Sequence, residues 1–286
     1  MQQGTDRVTF TAARNTTATI MQSIHENPPT ANRSCLPTYP PLDDCVPAKA
    51  ARAVLSRAIA YAVLTTVAIA VLSPHAGAQT APSAREIAAY TGMHAAAQSG
   101  NVAAIEALSK ATSEPVTLLD SNGRTPLHVA TFARQRSAVT ALIAAGANTA
   151  TLDKDRYDAV TIAAVADDEE TLRVLLAHGA SAKLVTSRYD GTALIAAAHL
   201  GHDGVVRQLL AAGAPVDHVN NLHWTALIEA IVLGDGGPRH QRTASALLSA
   251  GANTQLTDRD GRTPLELARS RGYDVMERLL RNAGAR

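Results

Sequence analysis

Thr125-Pro126-Leu127-His128-Val129-Ala130 is a phrase that this chain repeats with variations. Thr192-Ala193-Leu194-Ile195-Ala196-Ala197, Thr225-Ala226-Leu227-Ile228-Glu229-Ala230 and Thr263-Pro264-Leu265-Glu266-Leu267-Ala268 echo it. A Gly-Ala pair recurs in step at Gly146, Gly179, Gly213, Gly251 and Gly284, with spacings of 33, 34, 38 and 33 residues. A period in the thirties means a stack of similar small units rather than one closed core. Each unit buries its apolar face only on its neighbours, so none is stable alone. Such stacks make long recognition surfaces far more often than active sites.

Each unit carries its own start and stop signals. Thr91, Thr125, Asp158, Thr192, Thr225 and Thr263 stand where an N-cap is expected. A hydroxyl or carboxylate there accepts a hydrogen bond from a free backbone N–H, worth about 1 kcal/mol. Pro126 and Pro264 follow as first helical residues, where a missing N–H costs nothing. A second helix comes next, with apolar pairs Leu175/Leu176, Leu209/Leu210, Leu247/Leu248 and Leu279/Leu280. The Gly of each Gly-Ala ends it in the left-handed region. The acidic run Asp167-Asp168-Glu169-Glu170 sits at an inter-helix turn, where it favours the N-terminus of the next helix.

The chain divides into three segments. Residues 1–47, rich in Thr, Asn, Pro and Ser, have no helical or strand period and read as disordered. Residues 48–78 read as a secretory signal peptide. Lys49, Arg52 and Arg57 supply the positive end, Ala58 to Leu72 an uncharged apolar run, and Ala76-Gly77-Ala78 the small residues before a cut at Gln79. The alternative, a single-pass membrane anchor, needs about 20 apolar residues, and this run is shorter. A leader that begins near residue 48 suggests that translation starts inside the printed sequence, at Val46 or Leu55. Residues 79–286 carry the repeats, led in by a helical stretch at Ala81 to Tyr90.

These features together resemble ankyrin repeats: a β-turn finger, Thr-Pro-Leu-His, a Leu-Leu helix and Gly-Ala-Asn. Asp120-Ser121-Asn122-Gly123-Arg124-Thr125-Pro126-Leu127-His128 fits almost letter for letter, as does Asp258-Arg259-Asp260-Gly261-Arg262-Thr263-Pro264-Leu265. The resemblance implies an all-α solenoid of about six helix-turn-helix units, near 88–119, 120–152, 153–186, 187–219, 220–257 and 258–286. It departs from the pattern in places. Unit three has Arg156 where the finger Gly belongs, and unit four has an extra residue near Tyr189-Asp190-Gly191. Unit five inserts Gly234-Asp235-Gly236-Gly237-Pro238-Arg239-His240-Gln241 between its helices, which reads as a mobile loop.

The resemblance implies that partners are bound by the finger tips and the adjoining first helices, on the concave face. The residue before each N-cap is then the one most exposed to a partner: Arg124, Tyr157, Gly191, Trp224 and Arg262, with Arg188 and Tyr189 in the lengthened finger. Tyr, Trp and Arg are the usual anchors of protein interfaces. Trp224 is the only tryptophan, in a chain with 3% aromatics. The competing reading is that Tyr157 and Trp224 merely pack on neighbouring fingers. Arg239 and His240 of the insertion are the second candidate site.

Chemistry is weakly signalled. His128 and His202 stand where the family uses His to bond the turns between repeats, and no acidic cluster joins His199, His202, His218, His223 and His240 into a metal site. Cys35 and Cys45 precede the repeats, so thiol chemistry is absent there. No G-x-S-x-G or H-E-x-x-H occurs, and the inserted glycines lack the phosphate-loop pattern. From Gln79 onward there are 20 Lys+Arg and 21 Asp+Glu, a net −1 that does not point to nucleic acid or an anionic membrane. The expectation is an exported, periplasmic, monomeric binding protein with an unknown protein partner, no catalytic residues, no metal and no cofactor. The resemblance also implies an alternative, an envelope stress-protection or inhibitor role in which the stack masks or stabilises an enzyme. A less favoured reading is an enzyme that uses the 234–241 loop.

Overall fold

The computed structural model describes residues 79–111 and 115–286. The tail at 1–47 and the leader at 48–78 lie outside the described residues. A short lead-in helix α1 (Ala84–Ala89) comes first. Six helix pairs follow: α2 (Gly92–Ser99) with α3 (Val102–Lys110), α4 (Pro126–Phe132) with α5 (Arg136–Ala144), and α6 (Ala159–Val165) with α7 (Glu169–Ala177). Then come α8 (Ala193–His199) with α9 (Asp203–Ala211), α10 (Ala226–Val232) with α11 (Pro238–Ser249), and α12 (Pro264–Ser270) with α13 (Asp274–Asn282). The first helices α2, α4, α6, α8, α10 and α12 stack on one another in order, and the second helices do the same in a layer beside them.

The N-cap pattern holds. Thr125, Asp158, Thr192, Thr225 and Thr263 each accept a backbone hydrogen bond at the start of a first helix, whereas Thr91 is an N-cap without one. Asp168, from the acidic run, caps α7 by accepting from the Thr171 N–H at 3.1 Å. The core is a ladder at the repeat period. Leu142, Leu175, Leu209, Leu247 and Leu280 are fully buried, each four residues before its Gly. One leucine of each expected pair is therefore core, and Leu176, Leu210 and Leu248 pack against it from the margin.

The fingers are built by one device. Asp120 Oδ1 accepts from the N–H groups of Asn122 and Arg124, both at 2.8 Å. Asp153, Asn220 and Asp258 each accept the same two bonds, from the residues two and four ahead. Such side-chain-to-backbone turns replace a strand ladder. The residue at the tip then takes a positive φ, which is 72° for Gly123 and 77° for Gly261. Arg156 adopts the same geometry at 65°, so the missing glycine of unit three costs strain but not the turn. In unit four the lengthened finger forms a two-residue antiparallel pair, β1 (Val185–Thr186) with β2 (Gly191–Thr192).

The insertion in unit five is not the mobile loop the sequence suggests. Pro238 begins α11, so Pro238, Arg239, His240 and Gln241 form an added turn at the start of that helix. Proline at the first helical position and Gly237 at the cap make this favourable. The remainder is tied down from both sides. Tyr273 donates its hydroxyl to Gly234 O at 2.9 Å, and Asp235 Oδ1 accepts from the Gly237 N–H at 2.8 Å. Gly236 has φ 70°, and a Cβ there would lie 2.6 Å from the Tyr273 ring.

Candidate functional site

The finger tips form a braced row. The Ser187 N–H donates to Arg156 O at 2.8 Å, and the Asn221 N–H donates to Tyr189 O at 2.9 Å. Arg156 pairs with Asp190 at 3.1 Å, Arg188 with Asp155 at 3.3 Å, and Arg259 donates to Asn221 O at 3.0 Å. Each link joins one finger to the next, so side chains on this row stand on a stiff support.

The expected binding residues separate into three groups. Tyr157, Arg188, Tyr189 and Trp224 lie on fingers three to five, with Arg188 exposed and the aromatic rings half-buried. Arg262 is exposed on the last finger but holds Asp258 at 2.7 Å and Asp260 at 2.9 Å in its own repeat. Arg239 and His240 lie at the other end of the helices, at the inter-helix turns. Arg239 donates to Gly201 O at 3.0 Å and pairs with Asp167 at 2.6 Å. His240 Nε2 bonds His199 O at 2.9 Å.

Arg124 requires a correction. It was expected at an exposed tip, yet it is 2% exposed. Its guanidinium reaches Glu86 at 3.1 Å, Asp120 at 3.4 Å and Thr80 O at 2.7 Å, and lies 5.8 Å from the Phe132 ring centroid. It clamps the lead-in segment onto the first fingers and cannot also face a partner. Arg124 stands on the second finger, and the lead-in before the first repeat supplies the Glu86 carboxylate and Thr80 O that cover it.

Trp224 also does more than face outward, because it packs against the core. Truncation of a fully buried Trp costs about 3–5 kcal/mol, and about 2 kcal/mol is expected for this half-buried one. Urea unfolding of Trp224→Ala checks this; a loss under about 0.5 kcal/mol would mean that the ring is a surface feature.

Between the finger row and the inserted turn lies a cavity of about 350 Å³. Its walls include Tyr157, Val165, Tyr189, Ile195 and Leu200, and Leu200 is 40% exposed at its rim. Glu229 of α10 also lines it, although it is only 4% exposed. Its Oε1 accepts from Asn220 Nδ2 at 3.0 Å, while Oε2 has no hydrogen bond. His199 Nδ1 is 3.4 Å from Oε2, a contact that becomes an ion pair only if the imidazole is protonated. Burial pushes His199 down, with His240 and His202 acting in the same direction, so that contact is weak at neutral pH. Burial pushes the Glu229 carboxyl up to about 7, opposed by the Asn220 hydrogen bond.

Neither Glu229 nor Asn220 was singled out by sequence reasoning, and His199 was weighed only as a metal ligand. The signal for Glu229 was present in the register. Four residues after each N-cap the chain reads Ala95, Val129, Ile162, Ala196, Glu229 and Leu267. One carboxylate occupies a position that is apolar in every other repeat. His128 and His202 do bond between repeats, to Tyr157 O at 3.1 Å and Ala164 O at 2.9 Å.

The family model for ankyrin repeats (3 copies) matches residues 60–153, 133–220 and 160–258. The chain belongs to the ankyrin-repeat family. It is 39% identical over 171 residues to the ankyrin repeat protein YahD of Escherichia coli K12, covering 59% of this chain and 85% of that protein. The solved ankyrin repeat domain from Acinetobacter baumannii AYE is 44% identical, with a TM-score of 0.62, and the match covers 68% of this chain and 98% of that one. The ankyrin domain of Bcl-3, described as a member of the IkappaB protein family, is 28% identical with a TM-score of 0.61, covering 69% and 87% of the two chains. Ankyrin domains generally serve as protein-interaction scaffolds. Among the described residues no helix is long and apolar enough to cross a membrane.

Proposed function

We propose that this ankyrin stack binds a protein partner through fingers three to five and the first-helix face beside them, as a monomer and without chemistry of its own. The observation that carries the reading is the braced row of Tyr157, Arg188, Tyr189 and Trp224. The backbone that carries these aromatic side chains is held by finger-to-finger hydrogen bonds and Arg188 is paired with Asp155 of the neighbouring finger, so little further backbone freedom is lost on binding. The near-neutral repeat region argues against a nucleic-acid or lipid partner. The leader-like segment at 48–78 supports export to the periplasm, with Gln79 as the first mature residue.

The test uses the expressed protein as bait in extracts of its own cells, beside an Arg188→Ala/Tyr189→Ala double variant. These side chains are not core, so the variant should unfold within about 0.5 kcal/mol of the wild type. Wild type should retain a partner that the double variant loses, and mass spectrometry of the bait should find its N-terminus at Gln79. Equal retention by both proteins would overturn the finger-row reading, and an intact leader would overturn the export reading.

A further inference from the structure

We propose that the cavity under fingers three to five is a receptor for one basic side chain, a Lys or Arg of the bound protein, whose aliphatic stem lies along the apolar walls and whose cationic head meets Glu229. The inference rests on the protein-binding reading and names the chemistry of the partner's central anchor.

The argument starts from the cost of Glu229. A carboxylate 4% exposed sits at a register where the other repeats place Ala, Val, Ile or Leu. Ala196 and Leu267 fill the same place in the neighbouring units, and the finger turn of unit five engages only Oε1, through Asn220. A buried carboxylate is tolerated when it is paired, and breaks the local pattern where a site requires it. Here one oxygen is satisfied by Asn220 and the other, Oε2, carries no hydrogen bond. Charge complementarity therefore calls for a cation with N–H donors.

The walls specify the rest of the ligand. Val165, Ile195 and Leu200 with the rings of Tyr157 and Tyr189 offer apolar surface between the finger row and Glu229. A compact inorganic ion would leave that surface unused, whereas a butyl or propyl stem covers it, as Lys and Arg stems do on protein surfaces. The tyrosine rings can add cation–π attraction to the head group. Among the described side chains the cation-forming group beside Oε2 is the His199 imidazole at 3.4 Å, and it is held toward its neutral form.

The test follows chemical shifts of the full protein during titration with n-butylammonium, with neutral n-butanol, and with the capped peptide acetyl-Gly-Lys-Gly-amide. n-Butylammonium should bind saturably, with a dissociation constant on the order of a few millimolar, and shift residues around Glu229, Tyr157 and Tyr189. n-Butanol should bind at least tenfold more weakly. Glu229→Gln, nearly the same shape, should weaken n-butylammonium at least tenfold. Leu200→Ala, at the rim, should weaken both compounds by a similar factor while leaving the fold intact. Equal binding of the cation and the alcohol, or no effect of Glu229→Gln, would overturn the proposal, as would no saturable binding. The lysine peptide should bind at least as well as n-butylammonium. If only the free amine binds, the assignment to a partner's side chain falls. Because no partner protein enters these titrations, they fail or succeed separately from the Arg188/Tyr189 capture experiment.

Discussion

Arg124→Ala should destabilise the N-terminal end of the stack by about 3 kcal/mol, because it leaves buried acceptors without their cation. Arg124 is 2% exposed, and the Asp120 side chain beside it is 8% exposed. Asp120 Oδ2 accepts from the Tyr90 hydroxyl at 2.8 Å as well, so this group of side chains joins lead-in, first repeat and second finger. Asn122 adds a hydrogen bond to the same Glu86 carboxylate. Removing one member of a buried ionic network costs more than the network contributes, since the remaining charges stay desolvated. The loss should be local first. Repeat stacks unfold from their ends, so hydrogen exchange should speed up over 84–110 before it does over 159–249. Arg124→Ala/Asp120→Asn should recover part of the loss by removing the stranded charge. A loss below about 1 kcal/mol, or exchange that rises evenly along the stack, would show that Arg124 behaves as an ordinary surface residue.

Glu229 should make the protein less stable as pH rises through neutrality, and Glu229→Gln should remove that component. The carboxyl is raised from 4.5 to about 7, so the native state holds its proton more tightly than the unfolded chain. The native state is then undisturbed below about pH 4.5, loses stability progressively above it, and carries the full cost above about pH 7. The difference corresponds to about 3 kcal/mol at 1.36 kcal/mol per pH unit. His128 and His199 act in the opposite sense. Both are pushed down by burial, so their contribution is complete above pH 6.5 and is lost as pH falls. Around Glu229, α8 presents His199, and α11 presents His240 behind it. The charged groups of α12 are engaged elsewhere, Glu266 with Thr263 and Arg269 with Glu277. All of these remain in the variant, so the wild-type minus Glu229→Gln difference isolates the carboxyl. Urea unfolding from pH 5 to pH 8 should show the variant gaining on the wild type as pH rises. Parallel curves would mean that Glu229 is better solvated than its burial indicates. A basic ligand in the cavity should reverse the trend, since pairing favours the ionised carboxylate.

The two residues illustrate different limits of reading a sequence. Arg124 was legible as a finger residue, and its neighbours Gly123 and Thr125 fixed the turn it stands on. Its burial was not legible, because it depends on the lead-in segment folding back to place Glu86 and Thr80 O around it, 38 and 44 residues away. The insertion failed for a related reason. Three glycines in a row of eight suggest mobility, but Pro238 opens a helix, and Tyr273 and His199 from neighbouring repeats supply partners for the segment. Local composition cannot show a partner that arrives from the next unit.

Period, caps and helix ends determined the architecture from the sequence alone. A hydroxyl or carboxylate at each N-cap, Leu at a fixed offset and Gly after each second helix are local signals repeated along the chain, and stacking requires little beyond them. Which finger residues remain available, and where a carboxylate becomes buried against an apolar wall, was decided only by tertiary structure. Burial and desolvation are properties of what the neighbouring repeat brings, and for Arg124 and Glu229 those neighbours lie a full repeat away in the chain.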